Sequence, residues 1–331
     1  MLSDVAATSA RSAWAVGQTG SGKLLILRWN GSAWRQQASP VPGGGALASV
    51  AATSARNAWA VGHLGTGTSA TPLVLHWNGR RWRQEAGHAP AGGGALDSVA
   101  ATSAGNAWAA GSSGAATVIL HWNGKTWARQ SSANFGNVSD VAGSSAGNAW
   151  AATAGALLYW NGASWTQVPT PSPPGCCTAF TGVATTSPTD AWGIGSYSSS
   201  DGYSVPSLIV HWNGTAWKQV HSPFPAGVRG VFLASVTAAS AASAWAAGST
   251  FSEAVGNKTV IDRWNGTAWT HVRTPDAGSG FQDSSYLSGV AAASATSAWA
   301  VGYSATGTST RILILRWNGT AWRLVRGPKP Q

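Results

Sequence analysis

The chain has 331 residues, of which only 9% are charged, and it carries 21 tryptophans and a formal net charge of +10. Strong helix formers such as Glu, Lys and Met are scarce, so the composition argues against a helical protein and favours short strands joined by turns. No apolar run reaches the roughly 18 residues of a membrane-spanning helix, and the chain shows no basic and then apolar signal peptide.

A repeated pattern starts with the first residues. Positions 2–17 read LSDVAATSARSAWAVG, a variable stretch follows, and an apolar run then ends in WNGSAW at position 34. The pattern returns six more times, so the tryptophans divide into three per copy with none left over. They are Trp14, Trp29 and Trp34; Trp59, Trp77 and Trp82; Trp108, Trp122 and Trp127; Trp150, Trp160 and Trp165; Trp192, Trp212 and Trp217; Trp245, Trp264 and Trp269; Trp299, Trp317 and Trp322. Such fixed periodicity indicates a repeat architecture.

Each copy contains four short extended stretches, which in the second copy are 47–53, 58–62, 73–77 and a fourth that starts near Trp82. Asn-Gly stands between the third and fourth stretches of every copy and predicts a hairpin with a two-residue type I′ turn. In that register Trp29 faces Ser32 and Leu27 faces Trp34. The two tryptophans then lie diagonally on the same face of the hairpin.

Seven copies of a four-stranded antiparallel meander predict an all-β, seven-bladed β-propeller with one sequence repeat per blade. We expect one domain over 1–331, with blades of approximately 2–46, 47–95, 96–137, 138–179, 180–232, 233–286 and 287–331. The tryptophans are predicted to be structural and to pack neighbouring blades together. Because each copy runs from the innermost to the outermost strand, the ring should close without strand sharing between the termini.

The spacing of the repeat predicts two different faces. Nine positions separate the valine of the first strand from the first tryptophan, and five separate the second tryptophan from the third, in all copies. The other two intervals vary, from 10 to 20 and from 14 to 21 positions. In a meander, both variable connections leave from the same side of the disc, called here the variable face, and the fixed turns form the constant face. Loops carry function more often than the scaffold does.

Candidate ligand-binding residues lie in or beside the variable connections of copies five to seven, which are also the longest. This predicted set consists of Tyr197, Asp201, Tyr203, Phe224, Phe251, Phe281, Asp283, Tyr286 and Tyr303. Grouped aromatic side chains on one surface favour a binding role.

The sequence contains no recognisable catalytic set. Several of the ten acidic residues, namely Asp4, Asp97 and Asp140, recur on the first strand as part of the repeat. The histidines that precede W-N-G would be too far apart around a ring to chelate a metal. We therefore predict no enzyme, no metal and no cofactor.

The basic residues include four that follow the last tryptophan of a repeat, at Arg35, Arg83, Lys218 and Arg323. We interpret this recurrence as charge spread around the ring, which argues against a nucleic-acid partner.

Cys176 and Cys177 are adjacent. A vicinal disulfide, two thiols and intermolecular pairing all remain open, and the vicinal disulfide is favoured because the composition fits an oxidising compartment.

The pattern AWAVG followed by LHWNGxxW resembles a repeat of secreted and surface proteins from soil actinobacteria and related bacteria, over essentially the whole chain. The hairpin also resembles a degenerate Asp-box, S-x-D-x-G-x-x-W. Trp29 stands where its Asp would be, so no sialidase residue is carried over. The expected architecture of Trp-rich blades is similar to that of propeller lectins.

These resemblances, with the one-sided loop variation, lead us to expect a monomeric extracellular or cell-surface binding propeller. We expect it to be lectin-like, with a glycan or a protein surface as its partner. The alternatives are a structural or protein-interaction scaffold, and a hydrolase or lyase with its site at the mouth of the central channel.

Overall fold

The computed structural model describes residues 1–85, 93–130, 133–173, 175–200, 204–223, 225, 227–252, 256–275, 283–307 and 309–328. Within these residues the chain forms seven four-stranded antiparallel sheets, each a meander of consecutive strands. The sheets are arranged in a ring. The predicted seven-bladed β-propeller is therefore confirmed.

Every blade runs from its innermost strand to its outermost strand in chain order. In blades 1 to 4 the strands are β1 (Leu2–Ser9), β2 (Ser12–Gln18), β3 (Leu24–Trp29) and β4 (Trp34–Gln36); β5 (Gly45–Ser54), β6 (Asn57–Leu64), β7 (Thr71–Trp77) and β8 (Trp82–Gln84); β9 (Ala95–Ser103), β10 (Asn106–Ser113), β11 (Ala116–Trp122) and β12 (Trp127–Arg129); β13 (Val138–Ser145), β14 (Asn148–Thr153), β15 (Leu157–Trp160) and β16 (Trp165–Val168). A short 3₁₀ helix, Gly67–Ser69, lies between β6 and β7.

Blades 5 to 7 have longer inner strands, because their variable connections extend the pairing. Their strands are β17 (Gly175–Ser187), β18 (Asp190–Ser199), β19 (Ser207–Trp212) and β20 (Trp217–Val220); β21 (Gly230–Ser240), β22 (Ser243–Phe251), β23 (Thr259–Trp264) and β24 (Trp269–His271); β25 (Ser284–Ser294), β26 (Ser297–Thr306), β27 (Ser309–Trp317) and β28 (Trp322–Leu324).

The ring closes from blade to blade, as predicted. β1 pairs with β2, and the last sheet consists of β25 to β28 alone, so no strand is shared. Trp299 of blade 7 lies 5.0 Å from Trp29 and 5.1 Å from Trp34 of blade 1 between ring centroids. Side-chain packing between blades 7 and 1 thus provides the closure.

The same tryptophan cage forms every blade boundary. The first tryptophan of a blade is fully buried and packs against the second and third tryptophans of the next blade, as Trp14 does with Trp77 at 4.9 Å and with Trp82 at 5.0 Å. Tilted and edge-to-face contacts of this kind contribute roughly 0.5–1.5 kcal/mol each beyond the burial of area. Seven such cages account for the predicted structural role of the tryptophans.

The second tryptophan of each blade also explains why the constant face does not vary in length. Its indole N–H donates to the carbonyl of the turn between the first two strands, as from Trp29 to Ala10 at 3.2 Å and from Trp77 to Ala55 at 3.2 Å. The same bond recurs in the other five blades. Because this bond joins the turn to the hairpin, an insertion in either would break it.

The predicted hairpin register is wrong. Trp29 pairs directly with Trp34, and the loop between them has four residues. Asn30 Oδ1 accepts the backbone N–H groups of Ser32 and Ala33 at 3.0 and 2.9 Å. Within this four-residue loop, only Gly31 has a positive φ, of 99°. The asparagine therefore caps the loop with its side chain, and a type I′ turn, which needs two positive φ angles, does not form. The two rings still share one face, 5.9 Å apart.

Candidate functional site

The predicted ligand-binding set is only partly covered by the described residues. Tyr197, Phe251, Asp283, Tyr286 and Tyr303 are described. Asp201, Tyr203, Phe224 and Phe281 lie outside the described residues. No single cluster contains all the described aromatic residues, since Tyr197 lies in blade 5 and the others lie in blades 6 and 7.

A cleft of about 620 Å³ opens on the variable face of blade 5. The residues that line it are Tyr197, Ser199, Ser204, Pro206, Ser207, Gln219, Val220, His221 and Ser222. They come from the end of β18, the start of β19, the end of β20 and the loops that follow, which all meet at the variable face. The cleft thus brings one predicted aromatic residue together with hydroxyl, amide and imidazole groups.

The cleft is open because the neighbouring blade is short. Tyr197 packs against the cluster between blades 4 and 5, which contains Trp150 and Leu157 of blade 4. In blade 4, β14 ends at Thr153 and β15 begins at Leu157, whereas β18 in blade 5 continues to Ser199. Blade 5 therefore extends beyond its neighbour, and all the lining residues come from blade 5 itself.

Two aromatic pairs lie on the variable side of blades 6 and 7. Phe232 and Phe251 make an edge-to-face contact at 6.1 Å between ring centroids, and Phe232 is 43% exposed. Tyr286 and Tyr303 stack at 5.0 Å. Burial, with a further effect of Tyr286, raises the pKa of Tyr303.

Asn257 joins these two blades and was missed by the sequence analysis. It lies in the connection between β22 and β23, and its side-chain amide donates to the Tyr286 hydroxyl at 3.0 Å. Its backbone carbonyl accepts the N–H of Ser285 at 2.8 Å, and its N–H donates to Ser284 Oγ at 3.1 Å. These contacts hold the long connection of blade 6 against the first strand of blade 7.

Phe232 was also missed, although the repeat contains the signal. Phe232 and Tyr286 both stand four residues before the valine of the first strand, a position that holds Met1 in blade 1. Met1 is 53% exposed. The equivalent residues in blades 2 to 5 are Ala46, Ala95, Asn137 and Ala179. Bulky side chains therefore occupy one position in three adjacent blades, 6, 7 and 1.

A second set of equivalent residues, called here the channel ring, lines the central channel. Each member stands immediately before the valine of the first strand of its blade. The members are Asp4, Ser49, Ser98, Asp140, Gly182, Ser235 and Gly289. A β-bulge precedes this position in the innermost strand of every blade. A β-bulge changes the direction in which the neighbouring side chains point.

The ring residues hydrogen-bond across the blade boundaries. Asp4 accepts the Ser49 hydroxyl at 2.8 Å and the Val50 N–H at 2.9 Å from blade 2. Asp140 accepts the Ser98 hydroxyl at 2.6 Å from blade 3 and the Val183 N–H at 2.8 Å from blade 5. The two carboxyl groups therefore join neighbouring blades.

Burial raises the pKa of both carboxyl groups, to about 7 for Asp4 and about 6 for Asp140, and the hydrogen bonds oppose this effect. Asp97, which the sequence groups with them, lies one position earlier, at the bulge, and is exposed. Partial burial of the carboxyl group still raises its pKa, and His63 acts in the opposite direction. The channel beside this ring has a volume of about 270 Å³.

The residue before W-N-G contacts the first tryptophan of its own blade. In blades 2, 3 and 5, the histidine ring of His76, His121 or His211 lies 4.0–4.3 Å from that tryptophan and hydrogen-bonds to Asn57, Asn106 or Asp190. In blade 4, Tyr159 accepts the Asn148 amide at 3.0 Å. Burial lowers the pKa of His76 and of His121. Each of these side chains is thus held within its blade.

Blades 1, 6 and 7 use arginine at this position. Arg28 lies over Trp14 of its own blade and Trp77 of the next, at 5.1 and 5.0 Å from the ring centroids. Arg263 and Arg316 make the equivalent pairs of contacts. Wherever this residue is arginine, the second strand begins with serine, and elsewhere it begins with Asn or Asp. This pairing was readable in the sequence but was not recognised.

Positive charge is concentrated in three consecutive blades. Counted from the first residue of each innermost strand, blades 7, 1 and 2 carry 13 of the 20 Lys and Arg residues and 2 of the 10 acidic residues. The prediction that recurrence spreads the charge around the ring is therefore wrong, because most of these residues do not recur in blades 3 to 6.

The cysteine prediction is left untested. Cys177 is exposed and has a φ of 60°, but the side chain of Cys176 lies outside the described residues. In the described part of the chain, no group of three or more His, Cys, Asp or Glu side chains is placed to hold a metal ion. No helix there is long and apolar enough to span a membrane.

Comparison with known proteins supports the fold alone. No protein-family model matches the chain, and no curated protein matches it. Among solved structures, YCF48 bound to D1 peptide is 15% identical, with a TM-score of 0.60 over 98% of this chain and 93% of that chain. A GH74 xyloglucanase from Xanthomonas campestris is 15% identical, with a TM-score of 0.62 over 98% of this chain and 54% of that chain. SapL1 lectin in complex with alpha methyl fucoside is 12% identical, with a TM-score of 0.51 over 81% of this chain and 94% of that chain.

Proposed function

We propose that this protein is a non-enzymatic, extracellular and monomeric binding propeller that recognises glycans on its variable face. The blade 5 cleft is its primary site. The observation that carries the proposal is the combination, in a cleft of about 620 Å³, of the Tyr197 ring with polar side chains. Binding pockets of roughly 300–1,000 Å³ that join an aromatic surface to a few polar groups are typical of small-ligand sites.

The chemistry of the cleft suits a sugar. A pyranose ring has a C–H face that packs on an aromatic ring, and hydroxyl groups around its edge that need hydrogen-bond partners. Tyr197 supplies the ring, and the exposed Gln219 and His221 supply donors and acceptors. Ser207 and Ser222 bond to each other at 2.6 Å and fix the wall of the cleft.

The aromatic pairs of blades 6 and 7 extend the proposed surface beyond the cleft. Phe232 with Phe251, and Tyr286 with Tyr303, give rigid apolar contact area on the same face. Longer saccharides would contact these rings after filling the cleft.

The proposal assigns no catalytic residue. Asp4 and Asp140, the carboxyl groups of the channel ring, are both engaged in hydrogen bonds between blades. These hydrogen bonds explain why the two carboxyl groups are buried in the channel, so no role in binding a substrate is needed to explain their position.

The test is a glycan array probed with the wild-type protein and three variants. Tyr197→Ala should lower the affinity for any bound glycan about tenfold or more, because the stacking ring is lost, whereas Tyr197→Phe should stay within about threefold. Leu324→Ala is the control, since Leu324 is 50% exposed on the outermost strand of blade 7, away from the cleft. Wild-type binding by the Tyr197→Ala variant would contradict the cleft as the site.

A protein-interaction function is the second candidate, and the exposed Phe232 side chain favours it. Phe232, Tyr286 and Met1 form a bulky stretch across three blades at one repeat position. An array without any bound glycan, together with capture of a peptide ligand by the wild-type protein and its loss in Phe232→Ala, would replace glycan recognition by this candidate.

A further inference from the structure

The constant face carries a basic groove at the boundary between blades 1 and 2. The groove has a volume of about 340 Å³ and includes Arg11, Arg28 and Arg35 among its lining residues, but no acidic residue. Arg28 is held in place by the Trp14 and Trp77 rings and donates to the Ala55 carbonyl at 3.3 Å. Arg11 and Arg35 are exposed on either side. One fixed and two adaptable guanidinium groups thus meet in one groove.

An equivalent groove of about 500 Å³ lies at the boundary between blades 7 and 1. Arg316 there lies over Trp29 and Trp299 and donates to the Ala10 carbonyl at 3.3 Å. The arginine that packs on two tryptophan rings is therefore repeated one blade away, across the closure of the ring.

Both grooves contain polar groups that lack a partner among the described residues. The hydroxyl groups of Ser12 and Ser297, which line the first and second groove respectively, are buried without a hydrogen bond. The Arg316 Nε atom is also buried without a hydrogen bond. An unpaired buried polar group costs free energy, but these atoms have almost no exposed surface, so the exposed Arg11 and Arg35 side chains would make the contacts to a ligand.

Like charges also face each other across the outer strands. Arg28 pairs directly with Arg35 in register, and Arg316 pairs directly with Arg323. Among the described residues, none of these four arginines forms an ion pair with a carboxylate. Like charges directly opposite on a sheet are unfavourable, so both pairs would be stabilised by an anion between them.

We infer that this constant-face surface of blades 7, 1 and 2 binds an acidic polysaccharide through its sulfate or carboxylate groups. Two grooves at adjacent blade boundaries, with further exposed arginines on blade 2, match a chain of spaced anions better than one small ion. The surface also includes Arg56, Arg80, Arg81 and Arg83 of blade 2, all exposed. Guanidinium groups bind such oxyanions through paired hydrogen bonds.

A polysaccharide is favoured over a nucleic acid because the rings in the grooves are not available for stacking. Trp29 and Trp77 are 5% and 4% exposed. Single-stranded nucleic acids are bound largely by base stacking on exposed aromatic rings. The exposed or half-buried polar residues Asn30, Gln37 and Asn318 instead offer amides to sugar hydroxyls.

The test measures binding of the whole protein to heparin, a sulfated polysaccharide, and to polygalacturonate, a carboxylated one, at about 150 mM salt. Neutral dextran and duplex DNA are compared in parallel. The variant Arg11→Ala/Arg35→Ala should lower the affinity for at least one acidic polysaccharide about tenfold, since both residues line one groove. Both are exposed, so the fold should persist, and the thermal unfolding midpoint checks this.

The matched control is Lys125→Ala/Lys218→Ala, which removes the same charge from blades 3 and 5. Lys218 stands opposite His211, as Arg35 stands opposite Arg28. The control should change the affinity less than twofold. An equal loss in both double variants would reduce the effect to net charge and overturn the proposal. Tighter binding of DNA than of both polysaccharides would replace the ligand by nucleic acid, and no binding at all would reject the site.

The glycan site of the variable face is tested separately. Tyr197→Ala should leave binding to heparin and polygalacturonate unchanged, because it lies on the opposite face. Failure of one site therefore says nothing about the other.

Discussion

Blades 6, 7 and 1 differ from blades 2 to 5 in how they complete the same tryptophan cage. In the first group, called here the arginine sector, an arginine lies over a ring of its own blade and a ring of the next, as Arg28 does with Trp14 and Trp77. In the second, the histidine sector, His76 or its equivalent stacks on one ring and hydrogen-bonds to the start of the second strand. Tyr159 fills this place in blade 4.

The difference shows that one position decides both packing and charge. Arginine is always charged and reaches across the boundary, whereas burial lowers the pKa of His76 and of His121, which favours their neutral form, and these rings stay in their own blades. The proposed polysaccharide grooves lie where Arg28 of blade 1 and Arg316 of blade 7 occupy this position.

Removing the buried tryptophan tests whether the two sectors depend equally on the cage. We expect Trp108→Ala, in the histidine sector, to lower the free energy of unfolding by about 3–5 kcal/mol, the usual cost of a large cavity. Trp245→Ala should cost more, because it also leaves Arg263 without one of its two rings, and the Arg263 Nε is already unpaired. Denaturant titration of both variants measures the difference, and equal losses would mean that the arginine contact adds nothing.

The channel ring has one aspartate in each sector and should make stability depend on pH. The pKa values of Asp4 and Asp140, about 7 and about 6, exceed the 3.8 of the unfolded chain, so the folded state binds more protons between these values. Their contribution to stability is therefore fully present below about pH 4 and is lost as the pH rises to about 7, and a shift of one pKa unit corresponds to about 1.4 kcal/mol.

Thermal unfolding of the wild type and of Asp4→Asn, Asp140→Asn and the double variant between pH 4 and 8 measures this dependence. Each single variant should reduce the slope, with the larger reduction for Asp4→Asn. A slope that survives in the double variant would assign the pH dependence to other groups.

The smallest expected effect comes from exchanging the arginine and serine of blade 1 for the histidine and asparagine found at the same positions in blade 2. Arg28→His should destabilise blade 1 by about 1–2 kcal/mol, because two cation–π contacts and the bond to Ala55 are lost. Adding Ser12→Asn supplies the partner that His76 has in Asn57 and should restore about half of the loss. A double-mutant cycle measures the coupling, and the reverse exchange, Asn57→Ser/His76→Arg, is the matched control in blade 2. Additive effects would show that the two positions do not act as a pair.

Several features were predictable because they depend on spacing alone. The count of tryptophans, the fixed intervals and the recurring Asn-Gly predict the number of blades, the cages and the separation into a constant and a variable face. The hairpin register was not predictable from the Asn-Gly pattern, because the side chain of Asn30 competes with the backbone turn for the N–H groups of Ser32 and Ala33. The pairing of serine with arginine was present in the sequence, but its meaning depends on where the fold places residues that are 16 to 20 positions apart.

The amino-acid sequence by itself determined that this chain forms a ring of seven tryptophan-packed blades, since every copy repeats the same apolar and turn residues. Only the tertiary structure decided which surfaces stand open. The Tyr197 cleft exists because blade 4 ends short of blade 5, and the basic grooves exist because the ring places blade 1 beside blade 2 and, at its closure, beside blade 7. Both depend on neighbours that are adjacent in the ring, and packing of side chains from different blades sets which residues water and ligands can reach.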